Sequence, residues 1–238
     1  MDAANELSDT KMGLLLAAER LFATQGIAAT TIRQINAEAG QKNSSAIHYH
    51  FGSRDAILDA IVALRVTPAN NRRAVLLAEA REAAGGGPLS VETIIDMLMR
   101  PGLDRLLNTE GPHFAQRFTL QLRMNLDTWR RYEREHMAWT LDDLQRELRR
   151  ARPYVPAQVL RGRFRSAINY SMFTMSEIEF AESHLGDRYS RDEAMFRIEE
   201  LISTLVAMLN APVSPGTSEA LERVRESGKG ARPGIITD

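Results

Sequence analysis

Hydrophobic residues recur at three- and four-residue spacing along nearly the whole chain. Leu14, Ala17, Ala18, Leu21 and Phe22 show this spacing near the N-terminus, whereas alternation of apolar and polar residues is scarce. Long stretches are rich in Ala, Leu, Glu and Arg, which have high helix propensity. The pattern predicts an all-α fold of about nine helices.

Glycines, prolines and capping residues divide this pattern into separate helices. Thr31 and Gln34 have capping-box spacing, and Ser190 and Glu193 repeat it. We expect Pro68 and Pro101 to end helices because proline lacks the backbone N–H group. The predicted helices cover residues 10–25, 30–40, 44–51, 53–66, 69–84, 90–100, 113–152 (one or two helices), 157–184 and 190–210, with one or two further turns near 218–225.

The composition excludes several classes of protein. The 238 residues are 44% hydrophobic, which is enough for a large core, and contain no cysteine, which excludes disulfides and thiolate metal sites. Lys and Arg number 30 against 31 Asp and Glu, a formal net charge of -1, so any nucleic-acid contact requires local positive charge. Acidic residues near the N-terminus and the lack of a long apolar run predict a cytoplasmic protein without a membrane span.

Residues 10–66 carry the most specific functional signal. Two predicted helices flank a short turn at Ala39 and Gly40, as in a helix-turn-helix, whose second helix enters the major groove of DNA. Residues 39–54 contain no acidic residue and are rich in hydroxyl, amide and imidazole groups. This composition is typical of a surface that faces phosphates.

These residues resemble the signature of the tetracycline-repressor (TetR) family of bacterial regulators. The resemblance depends on Ala39-Gly40, on residues 46–54 (AIHYHFGSR) and on Ile57-Leu58, with residues 30–35 matching upstream in register. It implies a three-helix DNA-binding domain with a helix-turn-helix, followed by a helical ligand-binding and dimerisation domain. The expected boundaries are 1–54, 55–210 and a flexible tail over 211–238.

The resemblance also implies roles for individual residues near DNA. The turn is one residue longer than the common form, and His48 stands where tyrosine is most frequent, so we expect the phosphate contact to shift to Tyr49. Phe51 is expected to pack inward. The predicted DNA contacts are Thr31, Arg33, Lys42, Asn43, Ser44, Ser45, His48, Tyr49, His50 and Arg54.

Two apolar stripes on each of the helices predicted over 157–184 and 190–210 indicate a homodimer formed through these helices. Similar regulators with the longer turn include sensors of fatty acids or acyl-CoA, which implies a small, lipophilic effector. Aromatic and methionine residues could line its pocket, although core packing is an alternative for each of them. The predicted lining is Met97, Phe114, Phe118, Leu122, Trp129, Met137, Tyr170 and Phe173.

Metal binding and catalysis receive less support from the sequence. His48 and His50 are two apart and do not share a helix face, and the Glu133-His136 spacing of di-iron bundles has no second copy. We therefore predict no metal, no cofactor and no enzymatic activity. Arg149, Arg150 and Arg152 could contact an acidic effector or form a solvated helix end, and we favour the solvated end.

The sequence thus predicts a transcriptional repressor that binds a palindromic DNA operator and is released by a small effector. The alternative is an all-α small-molecule-binding protein or enzyme that retains the fold without regulating transcription. A purely structural dimer is disfavoured by the polar residues 43–45.

Overall fold

The computed structural model describes residues 3–41, 46–108, 113–132 and 138–227, and within these ranges it contains eleven α-helices and no strand. The all-α prediction is confirmed. A short 3-10 helix covers Gly186–Arg188. The helices are α1 (Ala3–Gln25), α2 (Ile32–Glu38), α3 (Ala46–His50), α4 (Arg54–Ala83), α5 (Val91–Asn108), α6 (Ala115–Met124), α7 (Leu126–Tyr132), α8 (Ala138–Ala151), α9 (Ala157–Leu185), α10 (Arg191–Asn210) and α11 (Pro215–Glu226).

The chain forms two compact units, and α4, α5 and α9 each contribute to both. The first unit comprises Met1–Asn71, Asp104–Met137 and Met175–Tyr189. The second comprises Arg72–Leu103, Ala138–Thr174 and Ser190–Asp238.

The core of the first unit lies where α1 packs against α6. Phe22 and Phe118 are fully buried, with ring centroids 6.3 Å apart in a tilted arrangement. Glu19 on α1 is also buried and accepts two hydrogen bonds from Arg65 of α4, at 2.7 and 2.6 Å. This bidentate pair connects α1 to α4 and satisfies a carboxylate that would be costly to bury alone.

A second buried carboxylate, Glu179 of α9, lies at the start of α6. It accepts hydrogen bonds from the backbone N–H groups of Gln116 (2.7 Å) and Arg117 (3.0 Å) and from the Arg117 guanidinium (3.2 Å). The residue at the N-cap position of α6, Phe114, has no side-chain capping bond. Burial raises the pKa of Glu179, while the two backbone donors act in the opposite direction. Glu179 on α9 therefore caps α6, although the two helices are far apart in the sequence.

The second unit has its own apolar core, in which Ile94, Leu148 and Leu205 are completely buried. Arg152 and Arg163 donate to the last carbonyls around α10, namely those of Asn210 (2.8 Å) and Ala211 (2.5 Å). Carbonyls at a helix C-terminus lack intrahelical donors, so these arginines satisfy groups that would otherwise need water.

The prediction that Pro68 and Pro101 end helices was wrong, because α4 and α5 continue through them. Pro68 is exposed, and Leu64, whose carbonyl loses its helical donor, is partly exposed. Pro101 is buried, but Arg73 donates twice to the neighbouring Leu98 carbonyl, at 3.2 and 3.1 Å. A side chain from another helix thus supports the backbone where proline weakens it.

Three other boundaries differ from expectation. Helix α1 begins at Ala3, earlier than predicted. The segment expected to form one or two helices after residue 113 contains α6, α7 and α8. Helix α11 occupies part of the predicted tail, where Ser214 caps it through the N–H group of Thr217 and Leu221 is buried.

Replacing Glu179 should strongly destabilise the protein. Glu179→Ala leaves the buried Arg117 without its carboxylate partner and α6 without its cap. We expect the free energy of unfolding to fall by about 3–5 kcal/mol, measured by urea denaturation. The control Glu222→Ala, on the exposed side of α11, should change it by less than about 0.5 kcal/mol, and an equal loss in both variants would contradict the capping role.

Candidate nucleic-acid interface

The helix-turn-helix begins with the capping box predicted at Thr31. The Thr31 hydroxyl accepts from the N–H group of Gln34 at 3.3 Å, and the Thr31 N–H group donates to the Gln34 side chain at 2.8 Å. Gln34 also donates to Gln25 at the end of α1, at 3.0 Å. These bonds fix the start of α2 against α1, with Thr31 and Arg33 both exposed.

The turn after α2 depends on Gly40, whose φ of +67° lies in the left-handed region. The N–H groups of Gly40 and Gln41 donate to the carbonyls of Ala37 (3.1 Å) and Asn36 (2.9 Å). These bonds satisfy carbonyls at the end of α2 and close the helix, as in other glycine-terminated helices. Four predicted contacts, Lys42, Asn43, Ser44 and Ser45, lie outside the described residues.

One side of α3 is fixed in the core of the first unit. Ile47 is completely buried, and its carbonyl accepts from the N–H groups of Phe51 (2.8 Å) and Gly52 (3.1 Å). Gly52 has a φ of +78°, which closes α3 and redirects the chain into α4. Phe51, predicted to pack inward, is half-buried beneath the Lys11 ammonium of α1, 5.5 Å from the ring centroid.

The opposite side of α3 faces solvent. Tyr49 is 75% exposed, His48 is exposed and His50 is partly exposed. The His48 ring nitrogen Nδ1 lies 3.0 Å from the Gly52 carbonyl, and the rings of Tyr49 and His50 meet edge to face at 5.0 Å. These side chains have the donors and the exposure that contact with a phosphate backbone requires.

Arg54 is placed differently from the other described members of the predicted set. Its guanidinium lies over the Phe22 ring, 5.7 Å from the centroid, and its Nε and Nη2 atoms are buried without a hydrogen-bond partner among the described residues. It lines a cavity of about 320 Å³ in the first unit, together with Asp55, Asp127 and Arg131. The predicted contact between Arg54 and DNA therefore stays a prediction.

Two family models match the chain. The model described as "Bacterial regulatory proteins, tetR family" matches residues 14–61, and the model described as "Tetracyclin repressor-like, C-terminal domain" matches residues 96–211. The chain belongs to the tetracycline-repressor family. As a member of this family it is a DNA-binding transcriptional regulator, and the first match contains α2, the turn and α3.

Among solved structures, the chain is similar to that of the crystal structure titled "Crystal structure of Mycobacterium smegmatis AmtR". The TM-score is 0.56 with 16% sequence identity, covering 88% of this chain and 92% of that chain. At this identity the likeness shows the tetracycline-repressor fold alone. A comparison with curated proteins finds no match.

The residues predicted to line an effector pocket are divided between the two units. Phe118, Leu122 and Trp129 are at most 2% exposed and pack in the first unit, where Phe114 also lies. Met97, Tyr170 and Phe173 belong to the second unit, and Met137 lies outside the described residues. Phe114 lines a cavity of about 430 Å³ in the first unit together with Arg20, Thr24, Ser183 and His184.

Metal chemistry finds no support in the described part of the chain, where no group of three or more potential ligands is assembled. Glu133 and His136, which have the spacing of di-iron sites, lie outside it. No helix within the described ranges is both long enough and apolar enough to cross a membrane.

Lys11 is a basic residue near α3 that sequence reasoning missed. It is exposed on α1, and its ammonium group lies over the ring of Phe51, directly after α3. No local motif marks it, because α1 and α3 are brought together only by folding.

The turn should depend on glycine at position 40. Gly40→Ala is expected to lower the free energy of unfolding by about 1–2 kcal/mol, because alanine is strained at positive φ although its Cβ would meet no neighbouring atom. Gly13→Ala is the matched control: it lies within α1 with equally open space, and alanine there should stabilise by about 0.5–1 kcal/mol. Chemical denaturation of both variants tests this, and stabilisation by Gly40→Ala would contradict it.

Proposed function

We propose that the protein is a homodimeric repressor that binds a palindromic operator and leaves it when a small effector binds. The observation that carries this proposal is the helix-turn-helix, in which Thr31, Arg33 and Tyr49 are exposed while Ile47 is fixed in the core. A polar surface on a rigid support is what docking into a major groove requires.

The apolar residues exposed on α9 and α10 support dimer formation. Tyr170 and Phe173 on α9 are 43% and 52% exposed, and Phe196 on α10 is 64% exposed. Inward-facing residues of the same helices, such as Leu160 and Leu205, are buried. A second copy of these helices would cover the exposed aromatic rings in a helix bundle. In this proposal Tyr170 and Phe173 belong to the dimer surface rather than to an effector pocket.

A dimer would present two copies of α3 to successive major grooves, about 34–36 Å apart along the DNA. An effector that binds more tightly to another separation of the two copies lowers the affinity for the operator. The coupling free energy of such a switch is typically about 1–3 kcal/mol, which corresponds to a roughly 5–150-fold change in affinity.

The effector is proposed to be small and lipophilic. Phe118, Leu122 and Trp129 give the first unit an apolar interior, and Phe114 lines a cavity in the same unit. Native mass spectrometry of the purified protein tests this point. A co-purified acyl chain or other apolar molecule supports it, and an exclusively polar ligand that binds in the first unit would overturn the lipophilic assignment.

The regulatory proposal is tested by footprinting on the DNA that flanks the gene. We expect protection of a palindromic site by the protein, and loss of protection when an effector is added. If no sequence-preferring DNA binding occurs at any salt concentration, the proposal is wrong. Turnover of a small molecule together with that result would favour the alternative, an enzyme that retains the fold.

Tyr49 should contribute to operator affinity without selecting the sequence. Tyr49→Phe removes one hydroxyl donor from the exposed side of α3, and we expect about tenfold weaker binding to all DNA sequences. Tyr154→Phe makes the same chemical change at another exposed tyrosine and should leave DNA affinity unaltered. Ser44→Ala and Ser45→Ala should instead change sequence preference. Fluorescence anisotropy with specific and random duplexes separates these effects.

Phe196 should be needed for the dimer. Phe196→Arg places a charge in the proposed apolar interface, and we expect the mass in solution to fall from two chains to one chain of 26.7 kDa, measured by analytical ultracentrifugation. Val75→Arg adds the same charge at an exposed apolar position of α4 and should leave the mass unchanged. A monomeric wild-type protein would contradict the proposed interface.

A further inference from the structure

An arginine-rich cavity of about 630 Å³ lies in the second unit. It is formed by the end of α8, the loop over residues 152–156, the start of α9 and the last turn of α11. The described residues that line it include no carboxylate. Five are arginines: Arg146, Arg149, Arg150, Arg152 and Arg225.

The positive charge of this cavity is only partly neutralised. Arg146 pairs with Asp143 and Arg150 with Glu147, but Glu147 is shared with Arg81 at 2.8 Å. Arg149 and Arg225 are exposed and have no ion pair among the described residues. Like charges repel, so several guanidinium groups on one cavity favour an anionic occupant.

The end of α8 and the loop between α8 and α9 are held in place by hydrogen bonds. Arg152 accepts from the N–H group of Val155 at 3.2 Å through its carbonyl, and its guanidinium donates to the Asn210 carbonyl at 2.8 Å. Arg150 donates to the Gly86 carbonyl at 2.6 Å. The Arg152 Nε atom is buried and has no hydrogen-bond partner among the described residues.

The start of α9 adds further donors. Ala157 lines the cavity, and the first backbone bond of the helix runs from the Leu160 N–H group to the Pro156 carbonyl. The first N–H groups of a helix have no acceptor within the helix, and its positive dipole end favours an anion. Ala157 and Leu160 of this first turn line the same cavity as the arginines.

Tyr154 provides an aromatic surface at this cavity. Its side chain is 97% exposed, and it follows Pro153, which restricts the loop backbone. An exposed tyrosine ring can stack on a planar heterocycle, as aromatic residues do when they bind nucleobases. The cavity therefore combines several groups that can donate hydrogen bonds to a phosphate with one aromatic surface for stacking.

We propose that this cavity binds a small phosphorylated molecule that carries an aromatic ring, of the nucleoside phosphate class. Its volume falls within the range of about 300–1,000 Å³ that is usual for small-molecule sites. Planar guanidinium groups are suited to paired hydrogen bonds with phosphate oxygens. The arginines at the end of α8 thus form part of a ligand site, rather than the solvated helix end favoured by the sequence alone. The proposal does not depend on DNA binding or on the dimer.

Isothermal titration calorimetry of the full chain, without DNA, tests this site. Adenosine diphosphate, pyrophosphate and adenosine are titrated separately at low salt. We expect saturable binding of adenosine diphosphate at one site per chain, at least about tenfold weaker binding of pyrophosphate, and no detectable binding of adenosine. Added salt should weaken the binding of both anions. No saturable binding of adenosine diphosphate at millimolar concentration would overturn the proposal.

Matched variants locate the site. Arg149→Ala and Arg225→Ala each remove an exposed arginine that has no ion pair with another described residue, so folding should be preserved. Each should weaken adenosine diphosphate binding about tenfold. Arg223→Ala lies on the same helix as Arg225 but outside the cavity lining, and it should bind as the wild type does. Equal losses of affinity for adenosine diphosphate in all three variants would indicate nonspecific charge attraction and contradict the proposed site.

Tyr154→Ala tests the aromatic part of the proposal. It should reduce the affinity for adenosine diphosphate to that for pyrophosphate and leave pyrophosphate binding unchanged. If the wild type binds both anions equally and Tyr154→Ala has no effect, the ligand is a simple anion and the nucleoside assignment is wrong.

Discussion

The buried carboxylate of Glu179 connects parts of the first unit that are far apart in the sequence. It caps α6 through two backbone N–H groups and pairs with the Arg117 guanidinium, and α6 in turn packs against α1. Helix α1 contacts the start of α2 through Gln25 and pairs with α4 through Glu19 and Arg65. A buried charge is tolerated only when nearly all its hydrogen bonds are made. Its position on α9 is therefore strongly constrained.

Short-range hydrogen bonds determine the form of the helix-turn-helix itself. The Thr31–Gln34 box fixes where α2 begins, and the positive φ angles of Gly40 and Gly52 fix where α2 and α3 end. Ile47, which lies between these two glycines, is buried, so the side of α3 that carries Tyr49 is left exposed. Local capping and one buried anchor thus leave a polar surface exposed on α3.

Arginines have three different tasks in the second unit. Arg73 and Arg163 satisfy backbone carbonyls, and Arg81 pairs with the buried Glu147. Arg149 and Arg225 have no such partner among the described residues and lie on one cavity. Composition does not separate these tasks, since all five side chains carry the same charge. The near-zero net charge of the chain likewise conceals a local excess of positive charge.

The sequence alone determined the all-α fold, the capping box at Thr31 and the family, because helix periodicity, caps and turns depend on residues close together in the chain. Tertiary structure decided the rest. Helix α5 continues through Pro101 beside an arginine from α4, and Arg54 turns toward Phe22. The residues predicted for one pocket belong to two units. Each of these outcomes depends on partners that are distant in sequence, and local patterns do not specify which side chains meet.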